Sequence, residues 1–149
     1  MSSAAIPHLL LAGNGQKAVD YYQGVFGLKT ISLLRYSDPG FEVEPGTEDL
    51  LLHAHLKSDD IELMVSDARP SDEVPVETFI SLTLTIDELT EQKELYDKLA
   101  ASGEVVMDLS DTFWGATYGA VRDPFGVTWN LNCQRVPMDE LMESFKQQS

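Results

Sequence analysis

The sequence predicts an α+β chain in which one β-α-β-β-β unit is written twice. Three observations carry this reading. Short β-rich runs are punctuated by Gly, Pro and Asp; two stretches switch to helical apolar spacing; and the same order of elements stands before and after an acidic segment holding Pro70 and Pro75. Module one covers about 6–67, a linker 68–77, module two about 78–134 and a C-terminal helix 137–147. At 149 residues the two modules are expected to share one domain, 1–149. A chain of this length buries roughly 70% of the surface its unfolded form exposes, so it needs no staples.

The elements follow in order. Ile6–Ala12 is an apolar run that stops at Gly13–Asn14, a strand. In Gln16–Phe26, Ala18, Tyr22, Val25 and Phe26 make a helical stripe, with Asn14 as a cap and Gly27 at the stop. Leu28–Tyr36 is β-rich, and Ser37–Glu48, with two Pro and two Gly, is a loop. Leu50–Lys57 and Ile61–Ser66 form a hairpin around Asp59–Asp60. After the linker, Phe79–Ile86 alternates as a strand. Asp87–Ser102 is a helix with Leu95, Tyr96 and Leu99 on its stripe and Gly103 at its end. Glu104–Leu109, Thr117–Arg122 and Val127–Cys133 complete module two, the last pair turned by Pro124–Phe125–Gly126. Pro137 opens a short amphipathic helix marked by Met138, Leu141, Met142 and Phe145, expected to serve packing or dimerisation.

The two faces of the strands differ. Ile80, Leu82, Leu84 and Ile86 oppose Ser81, Thr83 and Thr85; Val127, Trp129, Leu131 and Cys133 oppose Thr128, Asn130 and Asn132. In the first module Leu52, Ala54 and Leu56 oppose His53, His55 and Lys57, while Ile61, Leu63 and Val65 oppose Glu62, Met64 and Ser66. The apolar faces need a cover, which the two helices supply. The polar faces are either wet surface or, if the sheet curls, the wall of a cavity.

Composition narrows the function. Ten basic residues against 25 acidic ones give a formal charge of −15. Phosphate backbones and anionic membranes are repelled, so neither nucleic acid nor membrane is an expected partner. No apolar run approaches the roughly 18 residues of a membrane span. Met1–Ser2–Ser3–Ala4–Ala5 lacks the basic and apolar regions of a signal peptide, which predicts a cytoplasmic protein. The single Cys133 excludes an intramolecular disulfide and a multi-cysteine zinc site.

Two such units in tandem, the Asp123-Pro124-Phe125-Gly126 turn, and Trp129 and Asn130 on the strand after it resemble the vicinal oxygen chelate superfamily, which includes glyoxalase I and the bleomycin-resistance proteins. The PhnB-like branch is the nearer likeness. It is carried by Ala12-Gly13-Asn14, Tyr21-Tyr22, Phe26-Gly27, His53-Ala54, Met64-Val65-Ser66-Asp67-Ala68 and, most specifically, Thr112-Phe113-Trp114-Gly115 followed by Tyr118-Gly119. The resemblance implies a curved mixed sheet around a cavity, helices outside, and a homodimer. It does not imply one reaction: some PhnB-like proteins carry a methyltransferase name, yet no glycine-rich nucleotide loop occurs here.

Metal-dependent members take ligands from the first and last strands of each module. Those positions fall near His8, at Met64, at Ser81 and at Asn130. Hydroxyl, amide and thioether groups are poor ligands for zinc or nickel, so no metal cofactor is expected; His8 and Glu62 are the fallback ligands should a divalent ion bind. With the turn at Asp59–Asp60, His55 faces Met64 and Lys57 faces Glu62 as a cross-strand ion pair; a slipped turn would instead bring Glu62 to His53 and His55. Cys133 ends a strand on the apolar face and reads as a buried thiol, and Ser81 has no evident base.

The expected ligand-binding residues are therefore His53, His55, Met64, Ser81, Thr83, Trp114, Tyr118 and Asn130. Trp114 reads equally as core filler or as a ligand border, and Trp129 as core. The leading expectation is a protein that binds a small polar or amphipathic molecule. An enzyme on a small metabolite, with His8 or His53 as general base and Asn130 and Ser81 positioning oxygen atoms, is the alternative. A structural dimer with an incidental pocket is the third.

Overall fold

The fold was read from a computed structural model, which describes residues 5–40, 42–70 and 80–147, without the side chains at 138, 141, 145 and 147. Most of the expected linker, together with Phe79, lies outside these residues. So do the side chains of Met138, Leu141 and Phe145, on which the C-terminal stripe was read.

The chain divides into two compact units, residues 1–75 and 76–149. The first runs β1 (His8–Leu11), α1 (Gly15–Phe26), β2 (Lys29–Arg35), β3 (Leu51–Lys57) and β4 (Glu62–Asp67). The second runs β5 (Leu82–Thr85), α2 (Leu89–Ser102), β6 (Glu104–Asp111), β7 (Ala116–Arg122) and β8 (Thr128–Gln134), then α3 (Met138–Gln147). Each unit holds a four-stranded mixed sheet, ordered β1-β4-β3-β2 in one and β5-β8-β7-β6 in the other. The first strand lies parallel to the last in both, and the other neighbours are antiparallel. The tandem β-α-β-β-β architecture is therefore present, with a C-terminal helix.

In the first unit α1 packs on β3 and β4. It buries Ala18, Val19 and Tyr22 against Ala54, Leu56, Leu63 and Val65, all nearly inaccessible. Gly27 takes a left-handed φ of 67° and ends the helix as expected, but the Asn14 side chain makes no capping bond. Asp67 orders the entrance instead. Its buried carboxylate accepts the backbone N–H of Gly13 and Gly15 through Oδ1 and that of Leu51 through Oδ2, at 3.2, 2.8 and 2.9 Å. A Cβ at Gly15 would stand 2.8 Å from Asp67 Oδ1, so the close approach requires glycine there.

Two expected core assignments are corrected. Leu52 is 42% exposed while Leu51 is fully buried, because the β2–β3 pairing shifts register between Leu34 and Arg35 and inserts an extra residue. Ile80 is 60% exposed, and Leu82 and Leu84 are only half-buried, because β5 is short and lies at the sheet edge. The fully buried part of that apolar face is Trp129, Leu131 and Val121, beneath Leu99 of α2. Gly103 does not stop α2 through a left-handed turn, since its φ is −104°. It is needed because a Cβ would meet the Arg122 carbonyl oxygen at 2.4 Å.

Candidate functional site

The polar faces of the two sheets each carry an organised cluster. In the first unit the Asp59–Asp60 turn forms as expected, with Ser58 N–H donating to the Ile61 carbonyl at 2.8 Å. Register then sets His55 opposite Met64 and Lys57 opposite Glu62. The Glu62 carboxylate nevertheless reaches diagonally to His55, with Nε2 and Oε1 2.7 Å apart. An imidazole–carboxylate contact thus arises without any slip, and the cross-strand pairing of Lys57 and Glu62 is one of register while His55 takes the carboxylate. Diagonal neighbours on one sheet face lie within reach of long side chains.

His8, on β1 beside Met64 of β4, joins the same face. A 2.7 Å hydrogen bond links its Nε2 to Ser66 Oγ. Its ring meets His53 edge-on at 5.7 Å between centroids, and His53 lies 6.5 Å from His55. His8 is exposed overall, but partial desolvation, and then the neighbouring His53, hold it below the ordinary histidine value of 6.5. His8 is therefore a neutral imidazole at neutral pH, able to accept a proton.

In the second unit one amide organises the cluster. Asn130 Nδ2 donates to Ser81 Oγ at 2.8 Å and to Thr83 Oγ1 at 3.4 Å, and its Oδ1 accepts from the Tyr118 hydroxyl at 2.9 Å. The Trp114 indole N–H donates to Asn132 Oδ1 at 3.2 Å, and its ring meets Tyr118 at 5.7 Å. Ser81 and Thr83 are exposed; Asn130, Asn132, Trp114 and Tyr118 are half-buried. All five expected residues of this module fall into one network, and Trp114 borders it rather than filling the core.

The superfamily's metal positions hold an imidazole, a thioether, a hydroxyl and an amide whose nitrogen is aimed at that hydroxyl. Glu62, the fallback ligand, is engaged by His55. Among the described residues no three His, Cys, Asp or Glu side chains converge as a metal-holding group. This donor set does not fit a zinc or nickel centre.

Other sequence signals resolve into scaffold. Trp129 is buried and donates its indole N–H to Asp123 Oδ2 at 2.8 Å, while Asp123 Oδ1 accepts from Phe125 and Val127 N–H. The Asp-Pro-Phe-Gly turn thus holds its own hairpin. Cys133 is buried with its thiol raised above the ordinary value by burial and then by Glu88 and Asp87, which suits an inert group. Ser66 and Asn132 complete the clusters but were not singled out as site residues; their signal was position on the polar faces alone. One cleft of about 220 Å³ is lined by Tyr36, Glu42, Val43, Glu44, Thr47 and Arg69, and none of the expected site residues borders it.

These features define a protein of the Glyoxalase/Bleomycin resistance protein/Dioxygenase superfamily, whose sequence model matches residues 5–131, and the chain belongs to it. It is 30% identical over 136 residues to Protein YjdN of Escherichia coli K12, covering 85% of this chain and 92% of that one. Protein PA1353 of Pseudomonas aeruginosa superposes with a TM-score of 0.79 at 32% identity, covering 91% of this chain and all of that one. The PhnB protein from Bacillus cereus shares the fold, superposing at a TM-score of 0.74 with 24% identity over 88% and 99% of the two chains. The fosfomycin resistance protein FosX of Listeria monocytogenes shares the fold at 0.67 with 11% identity over 93% and 98%.

Proposed function

We propose that this chain is a PhnB-like, cytoplasmic homodimer that binds a small polar or amphipathic molecule on the polar strand faces of its modules, without a catalytic metal. The network around Asn130 carries the reading. Core amides are buried, and wet surface side chains are not tied to one centre; here three side chains are fixed by one amide yet stay accessible on a single face. The test is a thermal-shift screen of small neutral metabolites, followed by calorimetry of any hit with wild type, Asn130→Ala and His53→Ala. Affinity should fall about tenfold in the variant whose own module face holds the ligand, as expected for losing a hydrogen bond to ligand, and chelator dialysis should leave it unchanged. Unaltered affinity in both variants would remove the site, and loss on chelation would restore a metal.

A second reading is favoured by one observation, the neutral His8 held by Ser66 and edged by His53. In it His8 accepts a proton from a bound metabolite. Turnover lost in His8→Gln, with ligand affinity kept, would select this reading over simple binding.

A further inference from the structure

We infer that the second module's cluster selects a neutral planar aromatic ring bearing a carbonyl-type oxygen. This deepens the proposed binding function and rests on that face being the ligand surface. Three observations lead to it.

The first is Phe113, which is 82% exposed on the β6–β7 turn. A lone exposed apolar residue needs no explanation, but this one is the end of an aromatic row. Its ring meets Trp114 at 5.1 Å and 89°, and Trp114 meets Tyr118 at 5.7 Å and 73°.

The second is that the row is held rigidly. Trp114 and Tyr118 are fixed at their polar tips by Asn132 and Asn130. The turn itself is tied down: Gln134 Nε2 donates to the Trp114 carbonyl at 2.6 Å, and the N–H groups of Arg135 and Val136 donate to the Gly115 carbonyl at 2.9 and 3.0 Å. Gly115, at φ 75°, packs so closely that a Cβ would meet Val136 at 2.8 Å. Aromatic side chains whose rotamers are already fixed bind a ring without further ordering cost.

The third is the polarity of the neighbouring hydroxyls. Ser81 and Thr83 accept from Asn130, so each keeps its O–H proton to donate. Two donors beside an aromatic row match a ring with an oxygen acceptor. The chain's charge of −15 selects a neutral carbonyl over a carboxylate.

The test titrates three probes, benzamide, benzoate and cyclohexanecarboxamide, into ¹⁵N-labelled full-length dimer or monomer as purified. Benzamide should shift the Trp114 indole resonance and the Ser81 and Asn130 signals, and leave the buried Trp129 indole in place. The aliphatic amide and benzoate should each bind about tenfold more weakly, and Phe113→Ala should weaken benzamide several-fold. Equal binding of benzamide and cyclohexanecarboxamide at these signals would overturn the ring requirement and leave the binding face intact. Silence of Ser81, Thr83 and Asn130 toward all three probes would remove the face and the inference together. Phe113→Ala that turns a dimer into a monomer while benzamide affinity stays unchanged would make the row a subunit contact and overturn the inference.

Discussion

At the scale of single residues, two side chains carry opposite lessons. Asp67 belongs to the Met64-Val65-Ser66-Asp67-Ala68 run that carries the family resemblance, and it satisfies three backbone donors at the mouth of α1. Two of these donors, Gly15 and Leu51 N–H, are buried, and an unpaired buried N–H costs about 1–3 kcal/mol, so Asp67→Ala should destabilise the fold by at least about 2 kcal/mol in urea titrations. Asp67→Asn, which keeps one carbonyl oxygen, should cost less. Equal loss in both would show that the charge, not the acceptor count, matters. His8 was legible as a candidate by position, but its state was not, since that depends on burial and on His53. Its folded value lies below its unfolded one, so the unfolded chain gains its proton first on acidification. His8 therefore contributes a loss of stability that begins as pH falls through about 6.5 and is complete below its folded value. Comparing wild type with His8→Gln by urea titration at several pH values should show a shallower decline for the variant across that window. Parallel profiles would mean that His8 titrates as it does in the unfolded chain.

At the scale of elements, alternation was the readable signal and pairing geometry the unreadable one. The division of β8 into Trp129, Leu131 and Cys133 against Asn130 and Asn132 follows from a period of two, and the buried and half-buried residues fall in that order. Leu52 could not be placed, because it is the extra residue of a bulge in β3 itself, which turns Leu51 and not Leu52 inward. Gln92 was missed for a similar reason. It is a polar residue in a helix stripe, buried because its amide donates to the carbonyls of Thr117 and Leu131 at 2.7 and 3.0 Å and so ties α2 to the sheet. The two faces of β8 should separate in mutagenesis. Leu131→Ala opens a cavity in the core and should cost about 2–5 kcal/mol. Asn130→Ala, whose partners are exposed or half-buried, should cost about 1 kcal/mol, because water replaces the amide. Thermal melts decide this: if Asn130→Ala unfolds as early as Leu131→Ala, its network is core and not a binding surface.

At the scale of the whole molecule, the edges of the sheets bear on assembly. β2 and β6 are edge strands, and they expose Ile31, Leu34, Val105, Val106 and Met107. Bare edges with apolar side chains invite pairing with another chain unless something covers them. A two-fold homodimer covers the same patch on both copies at once. Sedimentation equilibrium at micromolar concentration should therefore report about twice the 16.5 kDa of one chain. The charge makes the prediction sharper. Each copy carries −15, so apolar attraction at the interface works against mutual repulsion of the two chains. Raising salt from about 0.01 to about 1 M shrinks the screening length from about 30 to about 3 Å, which removes the repulsion and leaves the apolar contact in place. The dimer should tighten as salt rises. Association that weakens with salt would mean that the contact is made of ion pairs, and a monomer at every salt concentration would mean that these edges are tolerated bare.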